Sequence, residues 1–378
     1  MIVYIVFVLL FFCSSFLEIG GLKKSQAQGL LGFLAVILIL FVGLRYNTGG
    51  DWFLYKKIFN NSLSAKGNFM NIESGYLLLN KIIKYTFNNY YVLQFTVTLF
   101  VVTAFYKLYK NNSQYPIVSF SLLTWIIFYS ILTSQMRQSI AIAIIVYSTQ
   151  YIFDRKHWKF ILAIVIASFF HISAVLAIPL YFLYKNYGKV LPITLMVASQ
   201  ILYFHPEIIK AIVLFIAPYL PARLSGLAEG YISSYFNKKT EFGTGLFYIG
   251  QMLLSVFTVL TIKPKDNKQT FFLNTLAVFI IIKGFSIGFE IIGRLEPYYL
   301  VYAIVAYTYL FSIELKKVSY WIIACFLLVY FAAPFVQGFT RKDTFVLTGR
   351  PANYTLVPYY NVLIHPTEAE SRKDWSQK

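Results

Sequence analysis

Arg45-Tyr46-Asn47-Thr48-Gly49-Gly50-Asp51-Trp52, with Tyr55 close behind, sets a guanidinium, two adjacent glycines, a carboxylate and aromatic rings side by side. The stretch follows an apolar run that ends at Leu44. Gly49 and Gly50 let backbone approach a ligand closely or take a positive φ. Arg45 carries a planar fork of donors that matches phosphate or carboxylate. Asp51 is a group that accepts a proton or holds a sugar hydroxyl. The plain alternative is a capped helix end and a turn with an interfacial tryptophan.

Further ionisable residues stand at the ends of apolar runs, where they are costly and therefore functional candidates. Gln135-Met136-Arg137-Gln138-Ser139 opens one such run, and Glu290, Gly293-Arg294 and Glu296-Pro297-Tyr298 join two others. A cation at a helix N-terminus opposes the helix dipole, so helix stability does not account for Arg137; a bound anion does. Arg45, Arg137 and Arg294 are thus three cations at three separate run ends, a set suited to one polyanion. Against this, Arg294 has Glu290 four residues before it, and Arg137 has a side chain long enough to snorkel. His171, in Phe169-Phe170-His171-Ile172-Ser173, interrupts an apolar run, as a packing residue or as a polar-site residue at a helix break.

The elements that must position these residues are membrane helices. The chain has 378 residues, of which 58% are hydrophobic and 13% charged, with a mean hydropathy of +0.64; soluble domains carry about 25% charged residues. Apolar runs near 2–18, 28–44, 90–107, 116–133, 137–153, 158–184, 190–204, 244–262, 271–289, 295–313 and 318–336 have bilayer length, and a shorter one lies at 207–220. Residues 1–17 lack a basic leader and a small-residue cleavage site, so they read as a retained span. The expectation is an all-α polytopic membrane protein of 11–12 transmembrane helices, one membrane domain over 1–336 and a polar tail over 337–378. Residues 158–184 either cross once or form a hairpin broken near His171. Residues 72–89 have apolar residues at mostly helical spacing and read as an amphipathic interfacial helix.

Lysine and arginine fix the expected orientation. Lys23/Lys24, Lys107/Lys110, Arg155/Lys156, Lys263/Lys265/Lys268 and Lys316/Lys317 form one cytoplasmic set. Loops 45–89 and 221–243 and the tail then face the periplasm or exterior, together with Arg45, Arg137 and Arg294. The net charge of +18 reflects this bias and attraction to anionic membrane lipid. Basic residues are dispersed between spans, which argues against nucleic-acid binding. Cys13 and Cys325 lie in apolar runs and read as small buried hydrophobes. His157, His171, His205 and His365 have no metal-ligand spacing.

The chain resembles the EpsG/Wzy family of bacterial polysaccharide polymerases. The resemblance rests on Arg45 through Tyr55, Arg137-Gln138-Ser139-Ile140-Ala141, Phe169-Phe170-His171-Ile172-Ser173-Ala174, Gly293-Arg294-Leu295 and Pro358-Tyr359-Tyr360, in family order over roughly 45–361. The usual Gly-Thr-Asp is Gly-Gly-Asp here. It implies an inner-membrane glycosyltransferase of GT-C-like architecture. Such an enzyme joins undecaprenyl-diphosphate-linked oligosaccharide units at the outer membrane face without a metal or other cofactor. A chain-length regulator and a flippase are the implied partners. On that reading Arg137 and Arg294, then Arg45, hold the diphosphate. Asp51 is the first candidate for the base and His171 the second. Trp52, Tyr55, Glu290, Glu296 and Tyr359 contact sugar, and Pro358-Tyr359-Tyr360 docks back over the site. An O-antigen ligase shares the arginine logic, whereas a flippase predicts charges at mid-membrane depth and repeat symmetry.

Overall fold

The computed structural model describes residues 2–64, 72–219, 226, 246–286, 290–313, 317–340 and 359–363. The chain divides into two compact units, Met1–Val175 with Glu314–Lys378, and Leu176–Ile313.

In the first unit, α1 (Ile2–Ile19), α2 (Lys24–Gly43), α5 (Tyr90–Asn112) and the C-terminal helix Lys317–Thr340 are long and carry few polar residues. The α-helix pairs its interior backbone groups within the segment, as a bilayer requires, and the apolar side chains suit contact with lipid. The last helix runs past the expected end at 336 to Thr340, through Pro334. Between these lie α3 (Trp52–Asn61), α4 (Ser74–Phe87), α6 (Pro116–Ile127), α7 (Met136–Tyr147), α8 (Thr149–Phe153) and α9 (His157–Ser168). Five described helices are long and apolar enough to cross a membrane, and seven shorter apolar helices accompany them.

Aromatic rings fill the centre of this unit. Tyr4 stacks on Phe339 at 5.4 Å, Phe7 on Phe41 at 4.6 Å, and Phe41 on Tyr359 at 4.4 Å. Glu18 of α1 accepts from the Ile117 and Val118 amides at 3.1 and 2.9 Å. A carboxylate there satisfies donors that the first turn of α6 leaves open. Cys13 and Cys325 are free and exposed on their helices, so burial is not their role.

Two interruptions shape the functional end. Past Ile127, residues Phe128–Leu132 form a π-helical turn, with Gln135 N–H reaching the Ser130 carbonyl at 2.7 Å. Such turns release carbonyls from the regular ladder. The other lies in 158–184, where the sequence leaves a single crossing and a broken hairpin both open. The α-helix ends at Ser168, Phe169–His171 form the turn, and Ile172–Tyr184 continue as a 3-10 helix through Pro179. Proline there removes a donor, in keeping with the altered helix type.

In the second unit, α10 (Val190–Phe204), α11 (Pro206–Ile216), α12 (Leu246–Thr261), α13 (Asn267–Ser286), α14 (Glu290–Gly293) and α15 (Glu296–Thr308) follow in order. The two-residue strands β1 (Arg45–Tyr46) and β2 (Tyr360–Asn361) pair antiparallel, with Arg45 opposite Asn361. The tail therefore docks on the loop after α2, and Val362 N–H extends the pairing to the Leu44 carbonyl at 2.8 Å.

Candidate functional site

The loop after α2 is a clamp. Arg45 is buried, and its guanidinium donates to the carbonyls of Val42 at 2.7 Å, Thr48 at 3.2 Å and Thr133 at 3.1 Å. Gln94 of α5 donates to the Gly43 and Arg45 carbonyls, both at 2.8 Å. Gly49 has φ +110°, and a Cβ there would overlap the Thr133 carbonyl. Gly50 N–H donates to Ser134 Oγ at 3.1 Å. Gly49 thus admits backbone, not ligand, and its packing and the Gly50 hydrogen bond fasten the loop to the Thr133–Ser134 turn that leads into Arg137.

This assigns several expected ligands to other work. All three guanidinium nitrogens of Arg45 are engaged by backbone, so it holds the loop rather than presenting a fork to phosphate. Trp52 and Tyr55 are 2% and 4% exposed, too buried to offer a face to a sugar. Trp52 packs edge-on to Tyr90 at 5.7 Å, and Tyr55 packs on Tyr76 at 5.6 Å. Tyr359 stacks on Phe41 and donates its hydroxyl to the Phe41 carbonyl at 2.5 Å. It fastens the tail to α2. Asp51 precedes α3 as its half-exposed N-terminal residue, and its carbonyl accepts from Tyr55 N–H at 3.0 Å.

Beside the clamp, Arg137 and His171 meet through a residue that the sequence reading passed over. Glu73 Oε2 lies 2.5 Å from Arg137 Nη1, and Glu73 Oε1 lies 3.0 Å from His171 Nδ1. The three side chains are 17%, 24% and 11% exposed for Glu73, Arg137 and His171, so the cluster is sheltered yet open at one edge. Glu73 sits at the cap position of α4 in an extended conformation and spends its carboxylate on these two partners. Gly75 sets the geometry: its N–H donates to the Phe169 carbonyl at 2.9 Å, and a Cβ would lie 2.8 Å from that oxygen. That contact brings the start of α4 against the break after α9, where His171 emerges.

Tyr55 lies beside Arg137 on the clamp side, close enough for the guanidinium charge to be felt at its hydroxyl. Tyr76 donates to Met136 Sδ at 3.2 Å. Burial alone would raise the Glu73 pKa, but the His171 hydrogen bond and the Arg137 charge outweigh it and hold it down at about 2. Glu73 is therefore a fixed anion at neutral pH and orients its partners without carrying a proton. With Nδ1 on the carboxylate, His171 leaves Nε2 to act as acceptor or donor. Burial raises the Tyr55 pKa, with Arg137 opposing and the Asp51 charge adding to it, so Asp51 is felt at this cluster.

The remaining expected residues belong to the second unit. Arg294 is exposed just after α14. Glu296 accepts from Ser286 Oγ at 2.5 Å. Glu290 begins α14, and its side chain lies outside the described residues, as do 221–225 and 227–243 of the outer loop and residues 341–358 of the tail. Lys283, a cation within the apolar run of α13, donates to Gln251 Oε1 at 2.6 Å.

Glu73 and Lys283 were both legible in principle. An acid placed two residues before a glycine at a helix start, and a lysine amid Ile280-Ile281-Ile282, are each costly choices.

The helices and the sheltered ionic cluster define an all-α, polytopic membrane protein. The chain belongs to the EpsG family, whose model matches residues 29–361, a span that holds the clamp, the ionic cluster and β2. This family includes Wzy-like polysaccharide polymerases. No curated protein and no solved structure matches the chain.

Proposed function

We propose that the protein polymerises undecaprenyl-diphosphate-linked oligosaccharide repeat units into a surface polysaccharide at the outer face of the cytoplasmic membrane. Family membership supports the polymerase class. The observation that carries the chemistry is the Glu73–Arg137–His171 cluster.

In the reaction, an acceptor hydroxyl attacks the anomeric carbon of the donor. The bond from that carbon to the diphosphate oxygen breaks, and the lipid diphosphate leaves with its electron pair. The acceptor proton passes to a base. Arg137, oriented by Glu73, meets the charge that develops on the diphosphate. Fixed guanidinium groups in a sheltered site stabilise such charge without reorganising. His171 Nε2 takes the proton, and the imidazolium that forms is stabilised by the Glu73 carboxylate on Nδ1, the logic of a carboxylate–histidine pair. The Glu73 contact favours His171 over Asp51 as base. Asp51 is then an acceptor-side residue at the edge of the cluster.

Deleting the gene in its source organism and complementing it with variants tests the proposal through the ladder of polysaccharide lengths. Wild type should restore long chains, and Arg137→Ala at normal protein level should leave single repeats on the carrier at the outer leaflet. Repeats trapped at the inner leaflet would instead assign a flippase. A full ladder of unligated chains in the deletion strain would assign a ligase.

A further inference from the structure

The turn that leads into Arg137 is held from two sides. One side is the clamp, where Arg45 donates to the Thr133 carbonyl and Gly50 N–H to Ser134 Oγ, both at 3.1 Å. The other is Tyr129, in the π-helical turn Phe128–Leu132. Its ring lies over Gly338 of the C-terminal helix, where a Cβ would fall within the ring, nearest Cε2. The ring also stacks on Phe335 at 5.3 Å, and the Tyr129 hydroxyl donates to the Phe335 carbonyl at 2.7 Å. A glycine inside a helix is entropically costly, and here it makes the notch that seats a tyrosine.

Seated there, Tyr129 presents its own carbonyl to the turn. That oxygen accepts from Ser134 Oγ at 2.9 Å and from Thr133 Oγ1 at 3.1 Å. Ser134 therefore spends its proton on Tyr129 and a lone pair on Gly50. The Ser130 carbonyl, next in the chain, accepts from the Ser134 amide at 3.1 Å and the Gln135 amide at 2.7 Å. Met136 then opens α7, and Arg137 follows. Single π-turns recur at functional sites, and this one lets one carbonyl take two hydroxyls.

We infer that Tyr129, seated at Gly338, is a positioning residue that aims Arg137 by fixing the Thr133–Ser134 turn. The inference rests on reading Arg137 as the group that meets the leaving diphosphate. Such a group must be in place before the charge develops, and a misplacement of about 1 Å costs about 10²-fold in rate. The C-terminal helix thus acts on the site through Tyr129.

The test uses full-length protein in nanodiscs and two readouts. One is the rate at which phenylglyoxal modifies Arg137, followed by peptide mass, with the exposed Arg294 as internal reference. The other is kcat and KM for release of polyprenyl diphosphate from lipid-linked repeat units. Tyr129→Ala and Ser134→Ala should each raise the Arg137 rate at least threefold relative to Arg294, because the guanidinium spends more time away from Glu73. Each should lower kcat at least tenfold and leave KM within twofold. Tyr129→Phe keeps the ring in its notch and should stay within threefold of wild type in both readouts. Gly338→Ala evicts the ring and should match Tyr129→Ala; Ser134→Ala removes a single oxygen and carries the test where Gly338→Ala does not fold. An unchanged Arg137 rate in Tyr129→Ala and Ser134→Ala would overturn the inference, as would a Tyr129→Phe variant as impaired as Tyr129→Ala. A raised Arg137 rate in these variants, beside a wild type that releases no polyprenyl diphosphate, would sink the polymerase reading alone.

Discussion

Glu73→Gln removes one charge and almost no volume, so it isolates what the Glu73 carboxylate does. In the native cluster this group accepts from Arg137 at 2.5 Å and from His171 at 3.0 Å. A pKa held at about 2, against an ordinary 4.5, corresponds to about 3 kcal/mol of stabilisation of the charged form. Solvent at the open edge screens this, which leaves about 1–2 kcal/mol for the variant to lose. The loss in rate should be larger than the loss in stability. Without the carboxylate, Arg137 is no longer aimed and His171 is free to adopt either tautomer. A base that loses its orienting partner loses about 10²–10⁴ in rate. The assay is the ladder of chain lengths together with thermal unfolding of the purified protein. Glu73→Gln should give short or no chains from protein whose midpoint falls by only a few degrees. A wild-type ladder from Glu73→Gln would refute the assignment of Glu73 as the residue that joins Arg137 to His171.

The same carboxylate has a pH signature. Its folded pKa lies below its unfolded value, so its contribution is present above pH 4.5 and is lost as pH falls towards about 2. The unfolding midpoint of wild type should drop more steeply below pH 4.5 than that of Glu73→Gln, and parallel curves would remove the linkage. Gly75→Ala places a methyl 2.8 Å from the Phe169 carbonyl, which should cost about 1–3 kcal/mol and pull Glu73 away from His171. Circular-dichroism melts and chain length should both report it. Arg45→Ala leaves three carbonyls without their donor and should destabilise the fold by about 3 kcal/mol or more. If Arg45→Ala instead folds normally with only a raised donor KM, Arg45 binds substrate after all.

The helical plan was legible because bilayer-length apolar runs have few alternative structures. The break at Phe169–His171 was legible only as one of two options, since lysines at both ends of 158–184 suit a broken hairpin while its length also suits a single crossing. What the sequence hid was partnership. Arg45 and Arg137 look alike as cations after or before an apolar run, yet one is buried against backbone carbonyls and the other faces a carboxylate. Which fate befalls each depends on Thr133, 88 residues from Arg45, and on Glu73, 64 residues from Arg137. Gly49 and Gly50 likewise read as room for a ligand because a sequence does not reveal what approaches a glycine. Here it is the Thr133–Ser134 turn. The resemblance made Trp52 and Tyr55 sugar contacts, and packing against Tyr90 and Tyr76 gives them a different use.

The central claim is that Arg137 serves a departing lipid diphosphate in glycosyl transfer. The direct measurement is release of polyprenyl diphosphate by protein reconstituted with lipid-linked repeat units from the deletion strain, followed alongside polymer length. One carrier diphosphate should be released for each new glycosidic bond. Arg137→Ala should abolish release, and Arg137→Lys should restore only part of it, because an ammonium lacks the planar fork. Polymer growth without stoichiometric carrier release, or undiminished release from Arg137→Ala, would contradict the account.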